Sequence, residues 1–304
     1  MKKVLITVIQ GFFMGVAEII PGVSGSTIAL VLGIYEKFIE ILYSVSEIAK
    51  EFFRFLMGKS KLSNIISKIK DIDWKFAIPL FVGMILAITS LAQFLHLWLE
   101  LKPQNVYAWF LGLTLMTLSV PWNEIKNRTS KSYWIVLIST IFFIIVFSVN
   151  PLKEIQNPSL VYVFIGGAIA ISAMILPGIS GSFLLVVLGL YQYILSLIES
   201  LLNFNFEALI SFGVFLMGIL TGFSLFVRFL KKALKYYNDE LMAFLTGILI
   251  ASIRILWPFF ELEGSDKIYL SPFEMPVIKL LEISIFFGIG IFLISFLKYL
   301  SNKI

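Results

Sequence analysis

Cysteine is missing from the 304-residue chain, which excludes disulfide bonds and thiolate chemistry. Histidine occurs only once, so the usual histidine-based metal centres cannot be built, and we predict neither a metal ion nor a cofactor. The sequence contains no GxSxG nucleophile motif and no proline-, glycine- or serine-rich linker. These absences argue against an enzyme and favour one integral domain.

Charged residues are also scarce, at 14% of the chain against 59% apolar residues. A soluble core of this size could not hide so much apolar surface, so lipid must be the solvent. A helix crosses a bilayer with about 20 apolar residues. The segments long enough to be such spans are 74–99, 106–122, 132–149, 207–230, 240–257 and 277–298.

The net charge of +5 could suggest a nucleic-acid partner, but in a membrane protein the position of each Lys and Arg is more informative. With the N-terminus in the cytoplasm, 19 of the 24 Lys and Arg residues fall inside, 4 fall outside, and Arg254 lies within a span. We therefore predict a multi-pass protein with both termini cytoplasmic, a lipid bilayer as its surroundings and no nucleic acid as partner.

One apolar motif occurs twice, as PGVSGS at 21–26 and as PGISGS at 177–182. Shifting residues 11–35 by 156 positions gives 12 identities in 25. Each copy lies mid-way along an apolar block, 4–45 or 159–202, where Pro21 or Pro177 would interrupt a helix. We predict an all-α polytopic membrane protein with two inverted repeats, 1–158 and 159–304. Each repeat is a broken helical hairpin followed by three transmembrane helices. The hairpin arms either cross the bilayer or re-enter it.

The two interrupted helices offer groups that can bind an anion at membrane depth. A helix that restarts after Pro-Gly exposes unpaired N–H groups, the serines add hydroxyls, and the glycines allow close approach to the backbone. The predicted anion-binding residues are Gly22, Ser24, Gly25 and Ser26 in the first copy and Gly178, Ser180, Gly181 and Ser182 in the second. The alternative is that both motifs are structural kinks.

Arg254 is a second candidate for binding an anion. Ala243, Gly247 and Ala251 recur every four residues, and Arg254 would continue their face toward neighbouring helices. Its guanidinium suits a phosphate or a carboxylate. An internal salt bridge, or snorkelling toward the outer surface beside Trp257, is the alternative.

Glu18 lies three residues before Pro21, so its carboxylate should be close to the first break. It is the candidate coupling residue, with protons or sodium as the ions, and Pro21 and Pro177 are the candidate gating positions. A structural pair between Glu18 and Arg254 is the alternative. The second copy has Met174 where the first has Glu18, so any such coupling would belong to one repeat.

Three segments carry a resemblance to a known family: EIIPGVSGSTIALVLGIYE at 18–36, AMILPGISGSFLLVVLGLY at 173–191 and SIRILWPF at 252–259. They resemble the bacterial undecaprenyl-phosphate translocases of the PopT type, and the similarity covers nearly the whole chain. The resemblance implies a plasma-membrane protein that returns the polyprenyl-phosphate lipid carrier of cell-wall synthesis from the outer to the inner leaflet. Ser26 stands where many members have glycine, which makes the backbone N–H the safer ligand there.

We therefore predict a flippase for undecaprenyl phosphate that works by alternating access. A polyprenyl tail is soluble in lipid, so only the phosphate needs polar groups of the protein to cross the bilayer. An ion-coupled carrier for a small soluble anion would use the same groups and is the second hypothesis. An enzyme acting on a lipid phosphate ranks third, because Glu18 alone gives it thin support.

Overall fold

The computed structural model describes residues 2–19, 24–148, 154–204, 206–263 and 266–302. The predicted Pro21 and Gly22 sites lie outside this part of the chain. A short antiparallel hairpin, β1 (Phe260–Glu263) and β2 (Asp266–Tyr269), precedes the last helix. The helices described are α1 (Lys2–Glu18), α2 (Gly25–Val31), α3 (Tyr35–Leu56), α4 (Leu62–Lys70), α5 (Trp74–Leu101), α6 (Pro103–Thr117), α7 (Ser119–Glu124), α8 (Ser130–Ser148), α9 (Leu160–Ile175), α10 (Gly181–Val187), α11 (Tyr191–Leu202), α12 (Leu209–Tyr236), α13 (Asn238–Ser252) and α14 (Val277–Asn302).

Four of these helices are long and apolar enough to cross a membrane: α5, α8, α12 and the Val277–Phe296 part of α14. Counting the bent α10–α11 pair as one span gives up to five within the described residues. Large apolar side chains such as Ile138 and Leu220 are exposed along these helices, as expected for surfaces that face lipid. The prediction of an all-α polytopic membrane protein is confirmed.

Helices α6 and α13 are shorter than the spans predicted at 106–122 and 240–257. Each has 15 residues, or about 22 Å of helix, which is shorter than the hydrocarbon layer. Nine residues of α6 and ten of α13 are buried, so both helices are surrounded by protein. Periodicity alone could not distinguish these central helices from spans, because both kinds are apolar on every side.

Both apolar blocks that carry the repeated motif are interrupted helices, as predicted. The short helices α2 and α10 are each followed, two residues after their last residue, by a glycine with φ 66°, Gly33 and Gly189. The following residue closes each turn, with Ile34 N donating to Ala29 O and Leu190 N donating to Leu185 O, both at 2.9 Å. Glycine is needed here because other residues rarely adopt this left-handed conformation. The chain then bends by 109° between α10 and α11.

The two halves of the chain use the same helix pairings. Helix α1 packs along α5, and α9 packs along α12, with the two helices of each pair running parallel. The later helices exchange partners between the halves, with α6 parallel to α14 and α8 parallel to α13. Small residues let the backbones approach closely at these interfaces. The glycines that lie against a partner helix include Gly83 in α5, Gly222 in α12, Gly112 in α6 and Gly247 in α13.

Helix α3 links corresponding helices of the two halves. Lys37 in α3 pairs with Asp73, just before α5, at 2.9 Å, and Glu47 in α3 pairs with Arg228, near the end of α12, at 3.0 Å. Helix α5 therefore begins, and α12 ends, beside the same helix. This is the relation that inverted repeats require, and the inverted topology stays a prediction.

Candidate functional site

The two interrupted helices touch each other in the interior. Gly178 N in the second break donates to Thr27 Oγ1 in α2 at 2.9 Å. Tyr35 OH, at the start of α3, donates to Ile175 O at 3.3 Å. These bonds join residues 140 to 151 positions apart in sequence. The two motifs therefore belong to one region of the molecule.

The serines of the first motif are buried and hydrogen-bonded inside the protein. Ser24 is the N-cap of α2, and its Oγ accepts a bond from Ser26 N at 3.3 Å. The two hydroxyl oxygens lie 2.6 Å apart, and they donate to Met174 O at 3.1 and 3.4 Å. Their side chains are 1% and 2% exposed. Any ligand that used these hydroxyls would first have to separate them from Met174.

Glu18 binds the backbone at the start of α2. Its Oε1 accepts a hydrogen bond from Gly25 N at 2.7 Å. A Cβ at position 25 would lie 2.8 Å from this oxygen and 2.9 Å from Met14 O, so a larger residue would push the carboxylate away. The sequence assigned the Gly25 N–H to an anionic ligand, and a carboxylate of the protein itself occupies it. A hydrogen bond to a charged group contributes about 1.5–3 kcal/mol.

The second motif has the same local geometry and different surroundings. Ser180 Oγ and Ser182 Oγ lie 2.7 Å apart, close to the separation in the first motif, but Ser182 is exposed and Ser180 is only half-buried. Gly181 lies against Ala170 O, as Gly25 lies against Met14 O. Met174 takes the position of Glu18, and among the described residues no carboxylate caps α10. These hydroxyls are therefore open to a ligand.

The second break is held between two helices. Pro177 and Gly178 are both buried. A Cβ on Gly178 would lie 3.1 Å from side-chain atoms of both Ile248 and Leu249 in α13, and Thr27 of α2 contacts the loop from the other side. The loop thus lies between the first broken hairpin and the central helix α13.

Arg254 does not occupy the position predicted for it. Ala243 and Ala251 are buried as predicted, but α13 ends at Ser252 and the chain turns, leaving Arg254 exposed. Pro258 restricts only Trp257, so it would allow a longer helix than the one that ends at Ser252. Burial raises the pKa of Tyr269 in β2, and the Arg254 guanidinium opposes that rise, so the arginine lies near the β-hairpin. The described contacts do not join it to either motif.

The structure adds residues that sequence reasoning did not assign to the site. Thr27 and Tyr35 bind the second break directly, and a polar cavity of about 500 Å³ opens beside Tyr35. Its lining includes Glu36 and Glu124, and burial together with the Glu36 charge raises the pKa of Glu124. The sequence could have indicated these residues only by their position, since Thr27 and Tyr35 closely follow the first motif.

The fold and the site together define a multi-pass membrane protein with two interrupted helices that contact each other, an arrangement typical of transporters. The chain belongs to the undecaprenyl phosphate translocase-like family, whose match spans residues 14–267. That range contains Glu18, both serine-glycine motifs and Arg254.

Two curated relatives agree with the family. A polyprenyl-phosphate transporter of Vibrio cholerae is 32% identical over 259 residues, covering 84% of this chain and 79% of the relative. A polyprenyl-phosphate transporter of Staphylococcus aureus is 29% identical over 265 residues, covering 83% of this chain and 86% of the relative. No solved structure matches the chain significantly.

Proposed function

We propose that the protein carries undecaprenyl phosphate from the outer to the inner leaflet of the bacterial plasma membrane, with both termini in the cytoplasm. The observation that carries this proposal is the contact between the two interrupted helices, in which Ser24 and Ser26 bind Met174 O and Gly178 N binds Thr27. Moving a phosphate through hydrocarbon without such groups would be prohibitively costly. The tail needs no such help, because lipid is already its solvent.

The phosphate follows a route that begins at Arg254. This residue is exposed, and it lies near the end of the predicted span 240–257, which the predicted topology runs toward the outer face. Leu249, five residues earlier in the chain, contacts the second break. A phosphate captured by the guanidinium would pass from there to Ser180 and Ser182, whose hydroxyls are open. Its release inward requires Ser24 and Ser26 to separate from Met174 O in turn.

Glu18 couples these steps in the proposed cycle. Its carboxylate holds the Gly25 N–H until the phosphate arrives, because both anions compete for the same donor. A displaced carboxylate in apolar surroundings favours its protonated form, so phosphate binding would draw a proton onto Glu18. Sodium could replace the proton as the ion that neutralises the carboxylate.

The test reconstitutes the protein in liposomes with labelled undecaprenyl phosphate and measures transfer between leaflets. We expect Arg254→Ala to slow transfer at least about tenfold, as expected when a charge-assisted contact worth ~1.5 kcal/mol is lost. Lys279→Ala is the matched control, since Lys279 is another exposed cation predicted to lie on the outer side. Wild-type protein that leaves the lipid in its original leaflet would refute the proposal.

The same liposomes separate the alternatives. Uptake of labelled inorganic phosphate without lipid transfer would support a carrier for a small soluble anion. Release of phosphate from the lipid would support an enzyme. To test coupling, lipid transfer by the wild type and by Glu18→Gln is measured under a pH gradient and under a sodium gradient. If both proteins respond to both gradients equally, Glu18 has no coupling role.

A further inference from the structure

An apolar groove of about 500 Å³ opens on the side of the second half, between α8, α9, α10 and α12. Among the described residues that line it, Ser172 alone has a polar side chain, and its hydroxyl donates to Ala168 O at 2.7 Å. The groove therefore offers a ligand no free polar side chain. A cavity of this size and composition suits a hydrocarbon chain.

The groove connects the lipid-facing surface with the second break. At its rim, Leu225 and Phe229 of α12 are 63% and 61% exposed. At its inner end, Leu176 and Ile179 are buried, and these two residues flank Pro177 and Gly178 directly. A chain entering from the bilayer would thus reach the loop that carries Ser180 without crossing polar surface.

We propose that this groove holds the first isoprene units of the polyprenyl tail, next to the phosphate. The inference rests on the proposed function, and it adds that the protein binds part of the tail while the rest of the tail stays in the bilayer. The position of the groove identifies the polyprenyl tail as its occupant. A phosphate at Ser180 and Ser182 would have its attached carbon chain beside Ile179, where the groove ends.

The groove explains how a lipid can be selected by more than its charge. The phosphate of an ordinary phospholipid lies between a headgroup and a glycerol backbone with two acyl chains, whereas a polyprenyl phosphate has one chain bonded directly to the phosphate. One apolar groove beside the second break fits the second arrangement. Phe143 and Phe226 add aromatic surface to the lining, which suits a branched, unsaturated chain.

The first test maps the tail with a polyprenyl phosphate that carries a photoreactive diazirine in its first isoprene unit. We expect crosslinks to α9 and α12 at the groove residues, and excess unlabelled undecaprenyl phosphate should abolish them. Crosslinks elsewhere that the unlabelled lipid still abolishes would overturn the groove and leave the proposed function standing. The absence of any competable crosslink would count against both.

The second test fills the groove. Leu225→Trp places a bulky side chain at the rim, and Leu220→Trp is the matched control, because Leu220 is exposed on the same helix outside the groove. We expect Leu225→Trp to lower competable crosslinking and lipid transfer about tenfold, and Leu220→Trp to change them less than about twofold. Equal effects of the two variants would refute the assignment. Groove crosslinks displaced by phospholipid but not by polyprenyl phosphate would identify an acyl chain as the occupant and overturn it too.

Discussion

The two copies of the serine-glycine motif have nearly the same sequence and opposite surroundings. Ser24 and Ser26 are buried against Met174 O, whereas Ser182 is exposed. The first half has carboxylates before and after its short helix, Glu18 and Glu36, where the second half has Met174 and Gln192. One break is therefore closed by the protein's own groups while the other is open. A duplicated site that alternates between two faces needs such a difference between its halves.

The largest effect is expected from a methyl group added where each motif contacts its preceding helix. A Cβ at Gly181 would lie 2.5 Å from Ala170 O, a backbone atom that cannot yield easily. At Gly25 the nearest atom belongs to the movable Glu18 side chain, with Met14 O slightly further away at 2.9 Å. We expect both alanine variants to lower the free energy of unfolding by roughly 1–3 kcal/mol, with Gly181→Ala the worse.

Thermal unfolding in detergent measures this difference. Gly213→Ala is the control, because a Cβ there meets nothing within 4 Å and alanine favours a helix. If Gly181→Ala unfolds at the same temperature as Gly213→Ala, the close approach in the second break has no energetic role.

The next effect comes from giving the second break the carboxylate of the first. We expect Met174→Glu to place an anion near Gly181 N, where it would compete with the lipid phosphate and weaken binding about ten- to a hundredfold. The carboxylate competes only when ionised, so inhibition should fade as the pH decreases. Binding of labelled polyprenyl phosphate over a pH series measures this, with the neutral Met174→Gln as control. Equal binding by the two variants at high pH would contradict the competition.

Removing the hydroxyls should separate the roles of the two serine pairs. The double variant Ser24→Ala with Ser26→Ala loses buried hydrogen bonds to Met174 O, so we expect its unfolding free energy to fall by about 1 kcal/mol. The double variant Ser180→Ala with Ser182→Ala should keep its stability and bind the lipid up to about tenfold more weakly. Thermal unfolding and lipid binding, measured on both proteins, distinguish them. Identical profiles for the two variants would remove the asymmetry between the breaks.

The smallest effect concerns the polar cavity at the end of α2, beside Tyr35. Burial, followed by the Glu36 charge, raises the pKa of Glu124, so the folded state binds a proton there more tightly than the unfolded state. Stability from this group is present at low pH and is lost as the pH rises through the folded pKa. Glu124→Gln should therefore raise the unfolding temperature by no more than a few degrees above that pH, and have little effect in acid. Unfolding scans at several pH values check this, and a uniform change at every pH would contradict it.

Much of this architecture could be predicted from the duplicated motif. Proline and glycine in an apolar block require a break, and the repeat indicated two of them. Their different burial could not be predicted, because it depends on Met174 and Thr27, which act across about half the chain. The buried position predicted for Arg254 was wrong because the four-residue spacing extended α13 past Ser252, where the helix ends. Helices α6 and α13 are shorter than predicted because hydropathy does not show where an apolar helix ends.

The exchanged pairing of α6 with α14 and of α8 with α13 means that the two halves of the chain are interdependent. The close glycine contacts of α6 and α13 are made with helices of the other half, so neither half alone contains both members of these pairs. Cutting the chain between α8 and α9 should therefore leave the two fragments bound together.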